Sequence, residues 1–156
     1  MEMFKKYMPH ISLGAGVLIL ILMFLPAISI RNVSGDHDIL GFFVAFGSNS
    51  ASLKLSMNLV LLLSFLLPII AGLLHFFTRK SEKSKLFQFI SVGLFVVSGG
   101  LFFSAPALFD AFVGELWIDN VLINTYITNY GLGIIFAAVF SLLTALTSVM
   151  TAFIIE

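Results

Sequence analysis

Four long apolar stretches without a charged residue constrain this chain more than any other feature of its sequence. They cover about residues 11–30, 57–77, 86–109 and 131–155. A helix needs about 20 apolar residues to cross a hydrocarbon core about 30 Å thick, and each stretch is long enough. The sequence therefore predicts an all-α integral membrane protein, a four-transmembrane-helix up-down bundle that forms one domain over residues 1–156.

Composition supports this fold class and narrows the functions available to it. The chain is 60% apolar and 10% charged, whereas soluble domains are about 45–50% apolar and about 25% charged. A formal net charge of zero disfavours a nucleic-acid partner, and the absence of cysteine excludes disulfides and thiolate metal sites. The Phe- and Ile-rich, cysteine-free composition is typical of a bacterial plasma-membrane protein, with the lipid bilayer as its first partner.

Basic residues near the ends of the spans predict the orientation, because Lys and Arg concentrate in cytoplasmic loops. Two of the eight basic residues, Arg31 and Lys54, fall on one side of the predicted bundle. The other six fall on the opposite side: Lys5, Lys6, Arg79, Lys80, Lys83 and Lys85. We therefore expect cytoplasmic N and C termini, a cytoplasmic loop over residues 78–85, and outer loops over residues 31–56 and 110–130.

The first apolar stretch has a second interpretation as a secretory signal. Lys5 and Lys6 precede it, and Ala27-Ile28-Ser29 offers small residues of the kind found at cleavage sites. A signal-peptide core, however, has about 7–15 apolar residues, and this stretch has about 20. We therefore interpret it as a retained transmembrane helix.

The outer loops carry two unusual apolar segments. Ile39–Gly47 is too short to span, so it would dip into the outer leaflet, pair as a short strand with Ile28–Val33, or form a docking patch. Apolar residues between Phe109 and Trp117 recur at helical spacing, which predicts a short interfacial helix continuing the third span. The outer contact patch predicted from these loops comprises Phe42, Phe43, Phe46 and Trp117.

Small residues predict how the helices pack, since close backbone approach drives association in lipid. One stripe follows the fourth span, at Ala137, Ser141, Thr144, Ser148 and Thr151. Another follows the third span, at Gly93, Gly100, Ser104 and Ala107. We expect these stripes to face each other or the bundle centre. The alternative is that the hydroxyl groups line a water-filled path.

Two prolines interrupt the predicted helices. Pro68 lies in the middle of the second span and Pro106 in the outer part of the third. Proline removes a helical hydrogen bond, so the sequence predicts a kink at each. Static bends satisfied by neighbouring helices are more common than transporter hinges.

The sequence offers little for chemistry. His75, within about one turn of the cytoplasmic end, is the one ionisable residue in the predicted spans. Its position indicates an interfacial residue rather than a proton relay, which argues against an ion-coupled transporter. Asp36, His37 and Asp38 have metal-binding atoms, but consecutive residues rarely all reach one ion, and whether they bind a metal stays open. Catalytic signatures such as G-x-S-x-G are absent. The sequence predicts no enzyme, no cofactor and no metal.

The functional prediction is a non-enzymatic interaction or accessory subunit of a membrane assembly, acting through its outer loops and its small-residue helix faces. Its expected partners are other membrane protein subunits or further copies of itself. An alternative is a transport or channel component for an apolar or lipid-like substrate. A weaker alternative is an outer-face sensor or immunity protein.

Overall fold

The computed structural model describes residues 2–33 and 35–153 as a helical bundle with two small antiparallel sheets at one end. The helices are α1 (Glu2–Ile21), α2 (Gly41–Phe46), α3 (Leu59–Thr78), α4 (Ser84–Phe103), α5 (Ala105–Phe112) and α6 (Leu132–Phe153). The strands are β1 (Pro26–Asn32), β2 (Gly35–Leu40), β3 (Ser48–Asn49), β4 (Leu53–Leu55), β5 (Trp117–Ile118), β6 (Val121–Leu122) and β7 (Ile127–Tyr130). A 3-10 turn, Leu22–Phe24, extends α1.

Four helical segments in this described part are long and apolar enough to cross a membrane. They are Lys6–Phe24, Leu59–Thr78, Ser84–Phe103 and Leu132–Phe153. Their length and apolar composition indicate a membrane-embedded protein. The last predicted residues of the fourth span, 154 and 155, lie outside the described residues.

The four long helices form an up-down ring. α1 packs on α3, α3 on α4, α4 on α6, and α6 returns to α1. Neighbours run antiparallel, since Gln88 near the start of α4 bonds Thr151 near the end of α6. Likewise Arg79, just after α3, contacts His10 in the first half of α1. We call the sheet-bearing end of the ring, residues 25–58 and 104–131, the cap, and the opposite end, around residues 79–83, the loop end.

The first span ends earlier than the sequence predicted, and the fold is not all-α. Leu25 is extended, with φ −94° and ψ 162°, because the following Pro26 disfavours a helical conformation before it. Residues from Pro26 onward form β1, in which Ile28 and Ile30 are fully buried. The prediction of a helix to residue 30 was therefore wrong, and the helix gains length instead at its N-terminal side.

The third predicted span is divided into two helices. α4 ends at Phe103, and α5 begins at Ala105 with Pro106 in its first turn. Proline is tolerated there because the first-turn N–H groups have no intrahelical acceptor. Pro106 thus starts a helix rather than bending one, which corrects the predicted kink. α5 then ends at Phe112, so the helix predicted between Phe109 and Trp117 forms only as far as Phe112, and its interfacial position stays a prediction.

Each sheet combines strands from both connections that meet at the cap. The first sheet has the order β2-β1-β7, and the second has the order β3-β4-β5-β6. In the first, Ile28 lies opposite both Ile39 and Tyr130; in the second, Lys54 lies opposite Trp117. Of the alternatives for residues 39–47, strand pairing is therefore correct for the first two residues, and the next six form α2.

Candidate functional site

The two connections of the cap are fixed to each other at Gly131, and the cap is fixed to α3 at Asn58. Gly131 lies so close to β1 that an added β-carbon would meet the Pro26 carbonyl oxygen at 2.3 Å, so only glycine fits without displacing the backbone. Asn58, 2% exposed, caps α3 by accepting from the Leu61 N–H at 3.1 Å. Its amide nitrogen donates to the Leu108 carbonyl in α5 at 3.0 Å. These contacts hold the cap in a defined position on the bundle.

Four phenylalanines, which we call the Phe cluster, form an apolar surface where the cap meets α1: Phe24, Phe42, Phe43 and Phe46. Phe24 at the end of the first span stacks on Phe42 of α2, with ring centroids 5.8 Å apart. Phe42 also contacts Phe46, at 4.9 Å, and Phe43, at 5.9 Å. Phe24 is 62% exposed and Phe46 47%. Sequence reasoning missed Phe24, because only the folded chain brings it to α2.

Trp117, the fourth residue of the predicted outer contact patch, belongs to a different surface. It lies in β5, beside a shallow groove of about 320 Å³ that Lys54 and Glu115 also line. The Lys54 ammonium is 5.8 Å from the centre of the indole ring, and the indole N–H donates to the Glu115 carboxylate at 3.2 Å. The groove therefore combines an aromatic face with one charge of each sign.

Asp36, His37 and Asp38 do not converge in β2. Successive strand residues point to opposite faces, so His37 faces away from both aspartates. Arg31 donates to Asp36 at 2.7 Å and holds the pKa of that exposed carboxyl below its ordinary value, chiefly through this hydrogen bond. The Ser29 hydroxyl donates to Asp38 at 2.5 Å. Among the described residues, no group of three potential ligands could hold a metal ion.

The stripe of small residues predicted on the fourth span is buried throughout: Ala137, Ser141, Thr144, Ser148 and Thr151. Ser141 lies 3.5 Å from the hydroxyl of Ser98 in α4. Thr144 donates to a carbonyl of its own helix, and Thr151 accepts from Gln88 at 3.1 Å. Ser148 keeps a buried hydroxyl without a partner in the described part of the chain. The hydroxyl contacts that Ser141 and Thr151 make with another helix are therefore both made with α4.

The stripe predicted on the third span is on the wrong face. All four of its residues are exposed: Gly93, Gly100, Ser104 and Ala107. A β-carbon added at Gly93 or Gly100 would meet nothing within 4 Å. α4 instead turns Phe95, Ser98, Gly99 and Phe102 inward, and a β-carbon added at Gly99 would meet the Leu142 side chain of α6 at 2.8 Å.

Sequence reasoning missed the closest helix–helix contact, between α1 and α3. A β-carbon at Gly16 would lie 2.5 Å from the Pro68 carbonyl oxygen, and one at Gly72 would lie 2.7 Å from the Ser12 carbonyl oxygen. The spacing Ser12-x-x-x-Gly16 is the small-xxx-small signal that could have revealed it. Pro68 is buried against this contact, and the kink at Pro68 stays a prediction.

The cap thus has two candidate binding surfaces, the apolar Phe cluster and the charged groove beside Trp117. Searches of protein-family models, of characterised proteins and of solved structures find no match to this chain.

Proposed function

We propose that this chain is a non-enzymatic accessory subunit of a membrane assembly, and that the Phe cluster contacts a transmembrane partner protein. The distribution of basic residues supports a cap outside the plasma membrane and a cytoplasmic loop end. The composition supports a bacterial source. On this model the cap presents a fixed surface to its partner at the level of the outer headgroups.

The observation that carries the proposal is the composition and position of the Phe cluster. Aromatic side chains that anchor a protein in the headgroup region are usually Trp and Tyr, whose polar tips reach water. The Phe cluster has no polar tip, and its rings stack on one another across two elements. Contiguous aromatic groups of this kind form the energetic centre of protein interfaces.

The packing of the bundle interior weighs against the alternative of a transport path. Ser91 donates to the Ala71 carbonyl and Ser98 to the Ser64 carbonyl, each at 2.7 Å. These hydroxyls therefore join α4 to α3 and are not available to hydrate a passing solute.

An outer-face sensor has one specific observation in its favour, the groove beside Trp117, whose aromatic and charged groups suit a polar peptide.

Site-specific photocrosslinking tests the accessory role. A photoreactive phenylalanine analogue replaces Phe42 or Phe46 in the full chain, in the native membranes of the cell that makes it. We expect a discrete protein adduct from both positions. The matched control is Phe77, which is 75% exposed near the loop end and should give lipid adducts.

Lipid adducts alone at Phe42 and Phe46 would overturn the proposed contact. An adduct consisting of two copies of this chain would identify the partner as another subunit of the same kind. Protein adducts at Phe77 equal to those at Phe42 would show that the contact is not specific to the Phe cluster.

A further inference from the structure

A polar cavity of about 240 Å³ opens at the loop end, far from the cap. It lies between α1, α3, α4 and α6, and its walls include His75, Arg79, Lys85, Gln88 and Thr151. At about 30 Å³ per liquid water, this volume equals about eight waters. The cavity therefore has room for a tetrahedral anion with part of its hydration.

The electrostatic environment of the cavity favours an anion. Arg79 and Lys85 line it directly, and Lys80 and Lys83 belong to the same connection. α4, a helix of 20 residues, begins at the cavity with Ser84, so the positive end of its dipole points there. Among side chains that the structure describes at this end, Glu82 is the sole acid, and it is exposed.

Arg79 is held in position for such a ligand. Its guanidinium lies over the Phe76 ring, 4.3 Å from the ring centre, and donates to His10 Nε2 at 2.9 Å. A guanidinium has five N–H donors in a planar fork, and this bond uses one of them. The remaining donors of the fork can therefore bind the oxygens of a phosphate. The planar guanidinium matches the geometry of a phosphate and can bind two of its oxygens at once.

The rest of the cavity wall is also ordered by hydrogen bonds. His75 is 5% exposed, and its Nδ1 lies 2.9 Å from the Ser12 hydroxyl. Gln88 donates to the Ser148 carbonyl at 2.8 Å and to the Thr151 hydroxyl at 3.1 Å. Fixed walls reduce the entropy that a ligand must overcome on binding.

We propose that this cavity binds a phosphate ester, and that its source is the headgroup of an anionic phospholipid. The cavity lies at the ends of the four apolar spans, which is the depth of phosphate headgroups when such helices cross a bilayer. Basic pockets between transmembrane helices at a cytoplasmic face bind anionic headgroups for this reason. The site is separate from the cap and does not depend on the cap's partner.

Thermal unfolding of the full chain in a neutral maltoside detergent tests the proposal. The probes are short-chain phosphatidylglycerol, short-chain phosphatidylcholine and inorganic phosphate, each titrated separately. We expect phosphatidylglycerol to raise the midpoint of unfolding, and Arg79→Gln or Lys85→Gln to weaken its apparent affinity about tenfold. Lys83→Gln and Lys80→Gln remove the same charge from the same connection outside the cavity walls, and should bind like the parent chain.

Three outcomes would overturn the proposal in whole or in part. An equal loss of affinity in the cavity and control variants would mean that general charge attraction explains the binding, and it would overturn the proposed binding site. Equal stabilisation by phosphatidylcholine would overturn recognition of the anion. Arg79-dependent binding of inorganic phosphate without lipid binding would overturn the lipid source while supporting the phosphate chemistry. Lys85→Gln, at an exposed position, keeps the test valid should Arg79→Gln fail to fold.

Discussion

At the scale of single residues, serine hydroxyls connect the helices of the bundle. Ser98 in α4 is fully buried, donates to the Ser64 carbonyl of α3 at 2.7 Å and lies 3.5 Å from Ser141 of α6. It therefore touches both neighbours of its own helix. In an apolar environment no water can replace the partner of such a hydroxyl. Removing the hydroxyl therefore weakens the association of the helices.

Replacing Ser98 with alanine should destabilise the chain by about 0.5–2 kcal/mol, the range for interhelical hydrogen bonds in membranes. Reversible unfolding in mixed micelles measures the change. Thr147→Ala is the matched control, because Thr147 donates to carbonyls of its own helix and its loss should cost less. Equal destabilisation by both variants would show that Ser98 does not join the helices.

Asn58 makes a residue-scale connection between the bundle and the cap. Asn58→Ala should lower the free energy of unfolding by about 1 kcal/mol for the lost helix cap. We expect an additional loss because the Leu108 carbonyl no longer receives the Asn58 hydrogen bond. Asn58→Ser keeps a neutral oxygen at the N-cap of α3 and removes the amide donor to the Leu108 carbonyl, so we expect an intermediate loss. The same unfolding assay orders the three proteins, and a serine variant as unstable as the alanine variant would contradict a capping role.

At the scale of secondary-structure elements, glycine has opposite meanings in different helices. Gly16 and Gly72 let α1 and α3 approach backbone to backbone, whereas Gly93 and Gly100 face open space. Small-xxx-small spacing indicates that a close contact is possible, but it does not say which neighbour a small residue faces. In α4 the inward face has Phe95 and Phe102 together with Gly99, which packs closely against Leu142 of α6.

Leucine substitutions separate the two kinds of glycine. Gly16→Leu should destabilise the bundle by more than the roughly 1–3 kcal/mol typical of overpacked sites, since its β-carbon would meet backbone rather than a flexible side chain. Gly93→Leu is expected to change stability little. Thermal unfolding midpoints compare the two variants, and a larger loss for Gly93→Leu would place the helix interface on the other face of α4.

At the scale of the whole molecule, the sequence reveals the bundle better than the cap. Apolar spans are local features, so each predicted stretch overlaps a long helix, although α1 begins and ends about nine residues early and the third stretch divides at Ser104. The cap depends on pairing between segments far apart in the chain, such as Ile28 with Tyr130. The hydropathy of a segment does not indicate which distant segment it pairs with. For the same reason Phe42 could be proposed as a contact residue from the sequence, while its neighbour Phe24 could not.

Cross-strand disulfides test the strand pairing that joins the two connections of the cap. Because the chain has no cysteine, the introduced thiols have no native thiol to pair with. Ser29 and Asn129 face each other between β1 and β7, and directly opposed residues in antiparallel strands have β-carbons about 4.5–5.5 Å apart. The double variant Ser29→Cys with Asn129→Cys should form a disulfide on mild oxidation after a small adjustment, seen as a mobility shift on a non-reducing gel.

The control shifts the register by one residue. Ser29→Cys with Thr128→Cys places the two thiols on opposite faces of the sheet, because side chains alternate along a strand. We expect this pair to stay reduced under the same oxidation. Equally efficient crosslinking of both pairs would mean that the two connections meet without fixed pairing, and the cap would then be a mobile contact between loops rather than the ordered surface on which the proposed function depends.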